Sequence, residues 1–342
     1  MIYRSSSSAY TTARLVTGRR ERREVYLGMV ESAILYGVLG AVVNGLRVGS
    51  LYGLMALGLT LIFRVTKVPN FAYAEYITYG AYAAYLAAIA AGAGGAGLVA
   101  ALIIAVFVGA AAALASDEIA FKPLWKRGAT PLHLLVASIG VGLVLRYSLL
   151  AVAASAAGLL EAALPVRSAT ILSIGGIVSV ETSHLLAVGA AVVFAAALHW
   201  LFTRTRTGKA MRATASNPVL ARVTGINIYA IRRITWLIGG GLAGFAGFVY
   251  AYYYYVNPES GWLMLLWIFA AATMGGFTFY GSIVSGVLLG LAEQVVSFLA
   301  NTYLGLSTAY APVIALVALI VVLMYRPEGV IRLESLSLKR RA

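Results

Sequence analysis

RTRTGKAMRATASNPVLARVTGINIYAIRR, residues 204–233, is the longest polar interruption in an otherwise apolar chain. It carries Arg204, Arg206, Lys209, Arg212, Arg222, Arg232 and Arg233 and no acid. Within it, Asn217 followed by Pro218 reads as an N-cap and first helical residue, and Gly225 as a helix stop. The spacing predicts a helix over Pro218–Thr224, about 10 Å long at 1.5 Å per residue. Val219, Leu220 and Val223 give that helix one apolar side. Such a helix between two hydrophobic spans needs a cover for that side. The cover is either its own membrane domain with the lipid headgroups, or a partner docked from the aqueous side.

Outward from this loop the composition is that of a membrane protein. The chain has 342 residues, 61% hydrophobic and 11% charged, with a mean hydropathy of +0.88. A soluble domain carries about 25% charged residues. One polytopic helical bundle therefore replaces the two soluble domains that length alone would suggest. A net charge of +14 would point to nucleic acid in a soluble protein. Here the placement of the basic residues beside apolar stretches explains it, and no nucleic-acid partner is expected. Cysteine is absent, which excludes disulfides and thiolate metal sites. His133, His184 and His199 are scattered at span ends, so no metal site is expected. Residues 1–28, with the Ser5–Ser8 run and Arg19–Arg23 (RRERR), read as a cytoplasmic tail, 29–328 as the membrane domain, and 329–342 as a basic cytoplasmic tail.

Ten apolar stretches can be drawn: 31–46, 48–65, 73–91, 97–116, 130–153, 182–203, 233–254, 261–277, 282–300 and 309–325. A spanning helix needs about 20 residues, so the first and eighth are marginal. The fold class expected is all-α, a polytopic transmembrane bundle of about 8–10 spans with both termini cytoplasmic. Threaded from an inside N-terminus, all of the 26 basic residues except Arg47, Arg146 and Arg167 fall inside or near the inner face, as the positive-inside bias requires. The one sizeable outer loop, 154–181, contains the β-prone ILSIGGIVSV and suits a hairpin or a short helix.

Inside the spans, Gly45/Gly49/Gly53, Gly240/Gly244 and Gly286/Gly290 recur at helix-packing spacing. Ionisable residues at membrane depth are functional candidates by default. Here these are Glu75, Arg146 and Glu293, and Glu293 with Arg146 could equally form a structural bridge. Two breaks interrupt the apolar run, TKVPNFAYAE at Thr66–Glu75 and GGFTFYG at Gly275–Gly281. Irregular backbone at this depth is tolerated beside protein or a water-filled path. The candidate path residues are Pro69, Asn70, Phe71, Glu75, Gly275, Gly276 and Glu293, against the alternative that both breaks are simple turns. Tyr250–Tyr255 reads as an interfacial aromatic belt. Gly208-Lys209 is followed by alanine, with no glycine five residues earlier, so there is no phosphate-binding loop of the Walker A type. No nucleophile–base pattern is present either. The chain is expected not to be an enzyme and to bind no cofactor, ATP included.

Four stretches resemble a known family in order along the chain. They are Gly49–Arg64 (GSLYGLMALGLTLIFR) with Val68–Glu75, Thr207–Asn227 (TGKAMRATASNPVLARVTGIN), Asn257–Gly261 with Gly275–Gly290, and Tyr325–Gly329 (YRPEG). Together they resemble permease subunits of branched-chain amino acid ABC transporters. The resemblance implies a permease for leucine, isoleucine and valine in the cell membrane. Its implied partners are a second permease subunit, two cytoplasmic ABC ATPases and an extracytoplasmic solute-binding protein. It also implies that the basic loop docks on the ATPase, through Gly208, Met211, Arg212, Ala213, Gly225 and Asn227. The chain departs from the family pattern at Tyr73 and Ala74, where the family has histidine and glycine, and at Thr278–Tyr280. A permease for another small polar solute, a sugar, nucleoside, amide or urea, is the alternative. An ion-coupled secondary transporter is the more remote one.

Overall fold

The computed structural model describes residues 19–92, 94–155, 160–165, 169–174, 178–307 and scattered positions between 310 and 324. Most of the N-terminal tail, the tail at 329–342 and the Tyr325–Gly329 motif lie outside these residues. The described chain is helical, in the order α1 (Arg19–Thr66), α2 (Tyr73–Ala91), α3 (Gly95–Ser116), a π-helical turn (Asp117–Phe121), α4 (Lys122–Lys126) and α5 (Pro131–Ser155). A two-stranded antiparallel hairpin follows, β1 (Thr170–Ile174) with β2 (Val178–Glu181). Then come α6 (Thr182–Arg204), α7 (Arg206–Ser216), α8 (Pro218–Val223), α9 (Ile228–Tyr253), α10 (Ser260–Met274) and α11 (Phe279–Leu304). Six of these helices are long and apolar enough to cross a membrane, by length and composition.

The stretches 31–46 and 48–65, drawn as two spans around Arg47, form one 48-residue helix, about 72 Å long. The physical reason is that no residue between 44 and 49 breaks a helix, and Arg47 does not need a polar loop. Its guanidinium lies 5.4 Å from the centre of the Tyr253 ring, which lets a charge sit along an apolar helix. The basic residues at 19–23 and at 64–67 therefore lie at opposite ends of one helix, not on one side of two crossings. The eighth stretch, the other marginal one, is α10, with 15 residues, about 22 Å, which falls short of a bilayer core of about 30 Å.

Helices α1 and α9 form the centre. Within their apolar windows 89% and 78% of residues are buried, against 17% in α5 and 22% in α3, so the first pair is core and the second pair is periphery. α5 touches the bundle along one stripe, Leu134, Ser138, Gly142, Arg146 and Ala153, which is the four-residue repeat of a single helix face. Long apolar side chains on its other faces, such as Val144 and Val136, are exposed. That is expected for a surface that meets lipid or a second membrane subunit.

Backbone contact between α1 and α11 is permitted by glycine on both sides. A Cβ on Gly49 would lie 2.6 Å from the Gly286 carbonyl oxygen, and one on Gly286 would lie 2.4 Å from the Gly53 nitrogen. In lipid, where apolar burial does not drive association, such close approach supplies the packing. Gly286→Leu is expected to lower stability by about 1–3 kcal/mol or more, as overpacking does. Thermal unfolding in detergent measures it, and an unchanged midpoint would refute the close approach.

Candidate functional site

The basic loop folds as two capped helices, one more than the sequence suggested. Thr205 Oγ1 accepts a hydrogen bond from Gly208 N at 2.9 Å and starts α7. Asn217 Oδ1 accepts from Leu220 N at 3.0 Å and starts α8, as the Asn-Pro pair indicated. Gly225, at φ +86°, turns the chain after it, a conformation that favours glycine. Asn227 Oδ1 accepts from Ala230 N at 3.1 Å and starts α9. The extra helix was hidden by Gly208 and by the Thr and Ser residues, which weaken a helical pattern.

Two of the loop residues singled out from sequence, Gly208 and Arg212, anchor α7 to α6. Gly208 sits so close to α6 that a Cβ there would lie 2.0 Å from the Leu201 carbonyl oxygen. Met211 is fully buried, and Arg212 donates to the Phe202 carbonyl oxygen. Ala213 is half-buried, while Gly225 and Asn227 are exposed and shape the turn into α9. The outer side of α8 is left bare, with Val219 73%, Leu220 59% and Val223 79% exposed, although Ala221 on its inner side is buried.

Arg64, Lys67, Lys122 and Lys126 gather at the same end, whereas the basic residues at 19–23 lie at the far end of α1. Arg64 lies 4.8 Å from the Phe202 ring centre. Lys122, Lys126 and Arg222 surround the Tyr229 ring at 5.8, 5.2 and 5.6 Å. A cleft of ≈ 90 Å³ opens between Lys67, Trp125, Thr214, Pro218 and Arg232. Two acids not singled out from the sequence tie this end together. Arg232 Nε donates to Asp117 Oδ1 and Oδ2 at 2.8 and 2.9 Å, and both side chains are buried. Arg233 pairs with Glu118 at 2.5 Å, and Glu118 also pairs with Lys122. The π turn aims Asp117 inward, and Phe121 stacks on Trp236 of α9 at 5.1 Å. A sequence signal was present: the loop holds seven cations and no acid, and Asp117-Glu118 directly follows the apolar stretch 97–116.

Both breaks in the apolar run are real, and both touch α10. Phe71 stacks on Phe269 at 4.6 Å, and its backbone N–H donates to Ser138 Oγ at 3.0 Å. Asn70 is fully buried, caps the turn through a 3.1 Å bond from Ala72 N, and neighbours the half-buried Pro69. At the second break Gly275 closes against Gly281, Gly276 and Phe277 take positive φ (59° and 49°), and Phe277 stacks on Phe63 at 4.0 Å. The three membrane-depth ions do not pair as suggested. Arg146 stands beside Glu75, with Nε 4.0 Å from Oε1. Glu293 Oε2 instead accepts from Tyr52 Oη at 2.9 Å and Trp267 Nε1 at 2.8 Å. Hydropathy places a charge at a depth but does not say which helices touch, so the partner of Arg146 was not legible. Among the described residues, no group of three or more His, Cys, Asp or Glu could hold a metal ion.

A helical bundle with several apolar spans, two interior breaks and a basic, helical loop at one end is a multi-pass integral membrane protein. Residues 41–323 match the family described as the branched-chain amino acid transport system / permease component, and the chain belongs to that family. It is 29% identical to the probable branched-chain amino acid transport permease protein LivH of Methanocaldococcus jannaschii, over 91% of this chain and 94% of that one. It is 31% identical to the high-affinity branched-chain amino acid transport system permease protein BraD of Pseudomonas aeruginosa, over 87% of this chain and 96% of that one. Identity to the LivH permease of Escherichia coli K12 is 29%, over 84% and 93%.

Proposed function

We propose that this chain is the permease subunit of an ATP-binding-cassette importer for branched-chain amino acids, worked from the cytoplasmic side through α7 and α8. The observation that carries the coupling role is the bare apolar side of α8, Val219, Leu220 and Val223, on a loop whose other side is firmly anchored. An exposed apolar patch on an otherwise cationic surface suits a soluble protein partner, here the ATPase. The basic residues gathered at this end support its cytoplasmic placement by the positive-inside bias.

The anchoring gives the loop its mechanical role. A push on α8 passes through Asn217 and Ala221 to α7, which is locked to α6 by Gly208 and Arg212. It also passes along the chain into α9, whose Arg232 grips Asp117 at the end of α3. Helices α6, α9 and α3 thus receive the movement together. The breaks at 67–72 and 275–278 lie at both sides of α10 and supply the irregular backbone that a solute path requires. A second permease subunit completes the path, an external binding protein delivers the amino acid, and the partner ATPases hydrolyse ATP. The chain itself contributes shape and leverage rather than covalent chemistry.

The test is reconstitution of the full complex in vesicles with labelled leucine. Uptake against the gradient is expected only with ATP and the ATPase subunits present. Uphill uptake by the permease without the ATPase would overturn the importer reading.

A further inference from the structure

Glu75 and Arg146 are buried, oppositely charged and incompletely satisfied. Glu75, in the first turn of α2, is 1% exposed, and its Oε2 has no hydrogen-bond partner. Arg146, on α5, is 8% exposed, and its Nε likewise has none. Their closest approach of 4.0 Å is beyond hydrogen-bond reach. The Arg146 guanidinium lies 4.2 Å from the ring centre of Trp262 on α10. Arg47 Nε and Trp236 Nε1 are also buried without a partner, but the other buried ion pair among the described residues is closed. Asp117 with Arg232 is hydrogen-bonded at 2.8 and 2.9 Å, and Glu293 holds two donors on one oxygen. A buried ion pair in a low-dielectric interior is compensated only when its remaining lone pairs and protons are bonded.

We propose that Glu75 and Arg146 hold the charged ends of an amino-acid zwitterion as it passes between α2 and α5. The ammonium of the substrate donates to the free Glu75 oxygen, and its carboxylate accepts from Arg146. Each group that the zwitterion brings answers one left unbonded. Its apolar side chain meets the aromatic surface of Trp262 and of the Phe71–Phe269 stack. Room for the zwitterion comes from α5, which rests on the bundle along one stripe only. The site reads the part common to all amino acids, so selection among side chains falls to the surrounding aromatic residues and to the binding protein.

This inference rests on the importer reading, and its test separates the two. Removing one charge would leave the other buried and unpaired, so both are changed together, Glu75→Gln with Arg146→Met. Replacing a buried pair with neutral groups is commonly neutral for stability. The double variant is expected to assemble with its partners, melt near the wild type and hydrolyse ATP when the loaded binding protein is added. Leucine moved per ATP hydrolysed is expected to fall about tenfold or more, as for loss of a charged hydrogen bond. A wild-type ratio in the double variant, or its failure to assemble, would overturn the proposal and mark the pair as architecture. Failure of the wild-type complex to move leucine at all would overturn the importer reading and this one with it.

Discussion

Asp117→Ala is expected to cost the protein roughly 3–5 kcal/mol, because it leaves Arg232 charged and unpaired inside the bundle. The Asp117 and Arg232 side chains are 0% and 8% exposed, so water cannot take over the lost contact. Arg232 is further enclosed by Trp125 and Trp236 at 5.5 and 5.9 Å, which leaves the guanidinium little freedom to turn outward. The neighbouring pair is the internal control. Arg233 and Glu118 are 56% and 30% exposed, and an exposed pair contributes about 0–1 kcal/mol. Glu118→Gln should therefore be nearly silent. Adding Arg232→Met to Asp117→Ala should recover much of the loss, since no buried charge then remains. Thermal unfolding in detergent, followed by tryptophan fluorescence, reads all three. Equal, small effects at Asp117 and Glu118 would contradict the structure at this joint.

Leu220→Asp is expected to abolish ATP-driven uptake while leaving the permease folded in the membrane. Leu220 is 59% exposed, and surface changes away from special contacts are usually within about 0.5 kcal/mol of neutral. Burying a Leu or Val side chain against a partner contributes roughly 1.5–3 kcal/mol each. A carboxylate in the middle of the Val219, Leu220 and Val223 patch removes one such contribution and adds a charge to desolvate. Arg212→Glu attacks the same lever from its fixed side, where Arg212 donates to the Phe202 carbonyl oxygen. It should leave the protein in the membrane but abolish uptake and substrate-stimulated ATP hydrolysis. Co-purification with the ATPase separates the two variants. Leu220→Asp loses the partner, whereas Arg212→Glu retains the exposed patch and loses transmission. Full uptake in either variant would reject the coupling role.

Much of the bundle is legible in the chain because hydropathy and capping agree. The stretch drawn at 73–91 coincides with α2, and that at 182–203 ends one residue short of α6. The Asn217-Pro218 cap and the Gly225 turn also stand where their chemistry puts them. What was not legible depends on contacts far apart in sequence. Arg47 looked like a loop residue because its cover, Tyr253, is supplied by another helix. Arg146 was matched with Glu293 from the sequence, and packing sets it beside Glu75 instead. Asp117 follows an apolar stretch as any span-end acid would, and its role as the counter-ion of Arg232 emerges once α3 and α9 are brought together. α7 failed to show because its helix formers alternate with threonine and glycine, while buried Met211 supplies a tertiary anchor that propensity does not register.

In the proposed mechanism, partners drive this bundle through α8 from the cytoplasmic face. The chain has no cysteine, so a single Val223→Cys variant carries the only thiol in the subunit, on a side chain position that is 79% exposed. Its reaction with a membrane-impermeant maleimide, in intact cells and in inverted vesicles, reports the side on which α8 lies. A short thiol-anchored photocrosslinker at the same position reports what covers it. Labelling in inverted vesicles alone and a cross-linked product containing the ATPase are expected. Labelling in intact cells, or an α8 that labels from the inside yet never cross-links to the ATPase in the assembled complex, would contradict the mechanism.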